Sequence, residues 1–112
     1  MNTPSTEYEE TVEIVAGVAR LLHQAACPRG HRFIDIHLAL GASLASQHAL
    51  WLLPEDVDAA AGPMPVASDP VELIRAAESL LRQLPDGADA LVAGLPGLIA
   101  DVCGLVRDCR AA

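Results

Sequence analysis

The sequence predicts an all-α protein, specifically a four-helix antiparallel bundle. Of its 112 residues 52% are hydrophobic, yet only Tyr8, Phe33 and Trp51 are aromatic. The core must therefore be built from Leu, Val, Ile and Ala, whereas sheets favour aromatic and β-branched side chains. Four segments also repeat apolar residues at the three- and four-residue spacing of helices. Residues 33–53 are apolar nearly all round, so we expect a central helix that is covered on most sides.

The first predicted helix, about residues 6–26, carries a boundary signal at each end. Thr6 begins a capping box, and Pro28 follows the last helical residue. The connection to the second helix is short, which favours two antiparallel neighbours. The second helix covers about residues 34–53 and stops at Pro54.

Residues 54–70 separate the first helix pair from the second. They contain four prolines in 17 residues, which indicates a Pro-rich crossover loop between helices 2 and 3. The third and fourth helices, about residues 70–84 and 88–109, carry apolar stripes at helical spacing. Pro96 and Gly97 should kink the fourth helix or split it in two.

The domain organisation is a disordered tail of residues 1–5 followed by one helical-bundle domain, residues 6–112. The polar, acidic N-terminus lacks the pattern of a signal peptide. Three cysteines form an odd number without scaffold spacing, which indicates the reducing cytoplasm. All seven basic residues are Arg, and with the frequent Ala, Gly and Pro this indicates a bacterial, high-GC genome.

The net charge of −8 limits the classes of partner. A protein this acidic lacks the clustered basic residues that neutralise phosphates, so we expect no DNA binding. Residues 34–53 are long enough to span a bilayer, but His37, Gln47 and His48 would be costly in hydrocarbon, so we expect no membrane partner.

The only basic corner lies between the first two predicted helices. Arg29, His31 and Arg32 lie there, next to the N–H groups that open helix 2. They could bind an anion or an acidic partner. They could equally balance the dipole at the C-terminus of helix 1.

The same corner offers His23, Cys27 and His31 at a spacing that could bring three metal ligands together. The layout resembles the H-x3-C-x2-C of zinc-binding anti-sigma domains but lacks the second Cys. Structural zinc sites show a fourth evident ligand. We therefore expect no metal and no cofactor, with these three residues as the candidates.

Arg32 and His37 are spaced as R-x4-H over six residues. This resembles the catalytic spacing of HEPN-type ribonucleases, which are small helical dimers. The resemblance implies that the His acts as acid or base beside the scissile phosphate. Phe33 stands where that family usually has a polar residue. A HEPN-like ribonuclease or toxin is one alternative in a chain that we otherwise predict is not an enzyme.

Helix 2 carries two thin polar strips on its apolar surface. His37 and His48 share one side, Ser43 and Gln47 lie on another, and Trp51 follows. These five side chains could line a pocket for a small apolar or anionic ligand. They could also be hydrogen-bonded packing positions in a bundle or a dimer.

The function that we predict is protein association by a small, acidic cytoplasmic helical module. Four apolar-striped helices in so short a chain carry more apolar surface than one core uses. A self-complementary helix face would bury the excess in a homodimer, or another protein would cover it. A small-molecule-binding or accessory protein is the alternative.

Overall fold

The computed structural model describes residues 4–26, 36–57 and 70–111. Every regular element in these ranges is a helix, which confirms the all-α class. The five helices are α1 (Pro4–Ala26), α2 (Ile36–Leu52), α3 (Pro70–Leu81), α4 (Ala88–Leu91) and α5 (Leu95–Ala111).

The four long helices surround one core. α1 packs against α2 and α3, and α5 packs against the same two helices, while the single turn α4 contacts α1 and α5. α2 and α5 run in opposite directions, because Gly41 lies beside Leu105 whereas Leu52 lies beside Gly94. The largest fully buried side chains in the described ranges come from α1, α3 and α5: Leu22, Leu73, Ile74, Leu95 and Leu98.

The predicted fourth helix is split, which makes five helices in the described ranges where four were expected. The break falls before Pro96 and not at it. Gly94 lies there with a φ of 90°, a left-handed conformation that suits glycine. Pro96 lies in the first turn of α5, where a missing N–H breaks no helical hydrogen bond. The proline therefore begins a helix instead of interrupting one.

Two other predicted boundaries differ from the structure. α1 begins at Pro4, so Thr6 lies inside the helix and not at its N-cap. α3 ends at Leu81, three residues early, and the chain then turns. Most of the predicted Pro-rich crossover falls on residues 58–69, which lie outside the described residues.

α1 has the buried stripe that its sequence predicts. Val15, Val18 and Leu22 are fully buried, whereas Tyr8 at the N-terminal end is exposed. The buried Thr11 hydroxyl donates a hydrogen bond to the Glu7 carbonyl one turn earlier, at 2.8 Å. This bond satisfies a polar group that would otherwise be costly in the core.

In the described ranges, no helix combines the length and the apolarity that a membrane crossing requires.

Candidate functional site

The outward face of α2 is an exposed apolar stripe. Trp51 is 85% exposed, Leu44 67% and Leu40 58%. At the angular spacing of an α-helix, these three residues and Gln47 fall within about 60° of arc. We call these four residues the α2 stripe. The expectation that this helix is central and covered on most sides is therefore wrong.

The reason lies in the arrangement of the helices. α2 packs against α1 and α5, so its outward face meets no helix among the described residues. Small residues cover the inward face, where Ala42, Ala45 and Ala49 are almost completely buried. α2 is thus turned with its alanines and Leu38 towards the core, whereas the large side chains of the stripe face solvent.

Close packing explains this orientation. A Cβ placed on Gly41 would lie 2.7 Å from Leu105 Cδ2, so a larger residue at this position would have to displace the Leu105 side chain. On the other side, the buried Ser46 hydroxyl donates a hydrogen bond to the Ala19 carbonyl of α1, at 3.2 Å. Because α2 is apolar on every side, hydrophobicity alone does not choose its buried face. Side-chain size and one hydrogen bond determine which face of α2 is buried.

The α2 stripe carries no formal charge. Residues 36–53 contain no Asp, Glu, Lys or Arg, although the whole chain has a net charge of −8. A neutral surface of this length is unusual on an acidic protein, and large exposed apolar patches mark interaction sites.

His48 lies beside the stripe and joins α2 to α5. Its Nδ1 is 2.9 Å from Asp101 Oδ2, in a pair whose side chains are 32% and 53% exposed. The same ring packs on Gly97, where a Cβ would lie only 3.1 Å from His48 Cε1. With Ser46, this makes two polar side chains of α2 that bind neighbouring helices. Both therefore act as packing positions.

Two cavities of the described part of the chain lie between α3 and α5. The larger has a volume of about 490 Å³. It is lined by Leu81, Leu84, Pro85, Asp86, Gly87, Ala88, Asp89, Leu95, Pro96, Ile99 and Ala100. None of the side chains predicted to form a pocket beside helix 2 lines either cavity. Ser43 is half-buried and Gln47 is exposed on α2.

Sequence reasoning missed these cavities. The signals that could have found them are the turn Pro85–Gly87 and the proline that opens α5, since both interrupt helix packing at the same place. The sequence does not say that the two interruptions meet. Their meeting depends on how α3 lies against α5.

Most of the other predicted site residues lie outside the described residues. These are Cys27, Arg29, His31 and Arg32. His37 falls in the first turn of α2, and its side chain also lies outside the description. His23 is exposed on α1. The anion patch, the metal candidates and the R-x4-H candidates therefore stay predictions.

Among the described residues, no three His, Cys, Asp or Glu side chains gather where they could hold a metal ion. Comparison of the chain with protein-family models, with curated proteins and with solved structures finds no match.

Proposed function

We propose that the protein is a cytoplasmic helical association module that forms a homodimer through the α2 stripe. The observation that carries this proposal is the exposure of Trp51, Leu44 and Leu40 on one face of one helix. Large aromatic side chains near the centre of an interface supply much of its binding energy. We further propose that the domain is an antiparallel four-helix bundle with a Pro-rich crossover, in which α4 and α5 together make the fourth helix.

The charge distribution favours a second copy as the partner. Two chains of net charge −8 repel one another, and they approach most easily through a face without charge. A twofold dimer places the same patch of both subunits in contact. The α2 stripe is neutral and apolar, so it is complementary to itself.

The spacing of the stripe suits an antiparallel pair of α2 helices. Leu40 and Trp51 mark its ends, about 16 Å apart along the axis, and Leu44 and Gln47 lie symmetrically between them. In such a pair, Leu40 packs on Trp51 of the partner subunit, and Leu44 packs on Gln47 of the partner subunit. The small Leu side chain then faces the large indole at each end.

The oligomeric state tests this proposal. We expect the wild-type protein to sediment as a dimer at micromolar concentration. The triple variant Leu40→Gln, Leu44→Gln, Trp51→Gln should sediment as a monomer with unchanged helical circular dichroism, because the changed side chains are exposed. The control is Ile99→Gln, since Ile99 is an exposed apolar residue on another helix. A monomeric wild-type protein at this concentration overturns the homodimer.

Charges introduced at the two ends of the stripe test the antiparallel geometry. Leu40→Arg and Trp51→Glu should each prevent dimerisation, because each buries an unpaired charge. The double variant should recover it, since Arg at 40 then faces Glu at 51 of the partner subunit. A parallel pair would place like charges together and stay monomeric. A dimeric wild type whose double variant remains monomeric contradicts the antiparallel pairing alone.

A further inference from the structure

Two neighbouring cavities follow the seam between α3 and α5, away from the α2 stripe. The two cavities have volumes of about 490 Å³ and 100 Å³, and they share Leu81 and Ile99 in their linings. Cys103 lines the smaller one. We call these two cavities together the α3–α5 groove. α5 meets α2 through Gly97 and Asp101, so the groove and α2 lie on different sides of α5.

The floor of the groove is apolar. Leu81 and Leu95 are buried beneath it, and Leu84 is half-buried beside them. Ile99 is 36% exposed and lines both cavities. A large aliphatic or aromatic side chain of a partner would bury this surface.

The rim of the groove is acidic at its α4 end. Asp86 and Asp89 are both exposed, and neither takes part in an ion pair among the described residues. At the other end, Glu78 is already paired with Arg82, at 3.3 Å. Two unpaired negative charges therefore border the apolar floor, where they would attract a cation.

Backbone hydrogen bonds hold the acidic rim in place. Gly87 adopts a φ of 82°, and the N–H of Ala88 donates to the Pro85 carbonyl at 3.1 Å. The N–H of Val92 donates in turn to the Ala88 carbonyl at 3.0 Å. These bonds fix the rim before a partner binds, which lowers the entropic cost of binding.

We propose that the α3–α5 groove binds a short segment of another protein, with a large apolar side chain flanked by Arg or Lys. The apolar side chain would cover Ile99, and the basic residues would pair with Asp86 and Asp89. An open trough suits an extended or helical peptide better than a small molecule, which needs an enclosed pocket. Charge complementarity selects a basic partner, whereas a second copy of this chain would bring a further net charge of −8.

Two synthetic peptides test this assignment by fluorescence anisotropy. One is RRLLARLLRR, and the other is EELLAELLEE, which has the same apolar residues and the opposite charge. We expect the arginine peptide to bind and the glutamate peptide to bind at least about tenfold more weakly. Equal binding of the two peptides, or binding of neither, overturns the proposal.

Matched variants separate the groove from general charge attraction. The double variant Asp86→Asn, Asp89→Asn should weaken binding of the arginine peptide about fivefold. Glu72→Gln with Asp108→Asn removes the same charge from exposed positions outside the groove and should leave its binding unchanged. An equal loss in both double variants means that only net charge attracts the peptide, which overturns the groove assignment.

A measurement on the wild-type chain guards against misfolded variants. Cys103 is an exposed thiol that lines the groove. The arginine peptide should slow its alkylation by iodoacetamide severalfold, as followed by peptide mass spectrometry, and the glutamate peptide should not. Unslowed alkylation at a saturating concentration of the arginine peptide contradicts binding in the groove. The Gln triple variant of the α2 stripe should still bind the arginine peptide, so failure of the dimer and failure of the groove are distinguishable.

Discussion

The α2 stripe and the α3–α5 groove are both exposed and apolar, yet they suit different partners. The stripe is a convex row of large side chains on a helix without formal charge. The groove is concave, and two unpaired carboxylates, Asp86 and Asp89, border its floor. Exposed apolar area favours association at both surfaces, and the placement of charge would determine which partner each one prefers.

The two surfaces arise from different departures from an ideal bundle. The stripe exists because α2 turns its alanines and Leu38 towards the core and leaves Leu40, Leu44 and Trp51 exposed to solvent. The groove exists because the chain leaves the helical path after Leu81 and again between Leu91 and Leu95. The stripe results from how α2 is rotated about its axis, whereas the groove results from breaks in the helical chain. Substitutions can therefore act on one surface without acting on the other.

The largest expected effect comes from truncating the most exposed side chain of the stripe. Trp51→Ala should weaken dimerisation by about 2 kcal/mol, roughly thirtyfold, because a large aromatic side chain that packs on a partner supplies much of the binding energy of an interface. Ile99→Ala should leave dimerisation unchanged and weaken binding of the arginine peptide. Sedimentation equilibrium and fluorescence anisotropy on both variants give the four values. If either variant weakens both interactions, the two surfaces are not independent.

The next largest effect concerns two glycines of positive φ near the groove. Gly94→Ala should lower the free energy of unfolding by about 2 kcal/mol, because it strains the backbone and also places a Cβ 2.7 Å from Leu52 Cδ2. Gly87→Ala has the same strain but meets no atom within 4 Å, so about 1 kcal/mol is expected. Urea unfolding measures both. Equal losses would mean that the Leu52 side chain moves aside without cost, and that the end of α2 is loosely packed against this turn.

Salt should move the two interactions in opposite directions. Raising the ionic strength screens the repulsion between two chains of net charge −8, so the dimer should tighten. The same salt screens the attraction between Asp86, Asp89 and a basic peptide, so that complex should weaken. We expect about a threefold change in each dissociation constant between low and high salt. Changes of the same sign would contradict the neutral character of the stripe or the acidic character of the groove.

The all-α class and most of the core could be predicted from the sequence, because helical periodicity reports which face is buried. In α1 and α5 the predicted stripes are the buried residues, with Val15, Leu22, Leu98 and Val102 all fully buried. The same reasoning also predicted that the helix containing Pro96 would be interrupted. It misplaced the break, because the φ of Gly94 depends on the position of α5 and not on a local motif.

α2 could not be predicted in the same way. A helix that is apolar on every side has no preferred buried face, so its orientation follows from the close contact of Gly41 with Leu105 and the bond from Ser46 to Ala19. Both contacts join residues far apart in the chain. The sequence therefore shows which large apolar residues α2 contains, but only the packing of the helices determines that these residues are exposed.

The smallest expected effect tests whether the edge of the stripe depends on charge. Asp101→Asn keeps an oxygen that can accept from His48 Nδ1 but removes the carboxylate charge. Both side chains are partly exposed, so water replaces much of what is lost, and the free energy of unfolding should fall by no more than about 0.5 kcal/mol. Dimerisation should not change measurably, since Asp101 belongs to α5 and His48 lies beside the stripe. Urea unfolding and sedimentation equilibrium check both values. A large loss of dimer with little loss of stability would show that the interface extends from α2 over the His48–Asp101 pair onto α5, and would widen the α2 stripe accordingly.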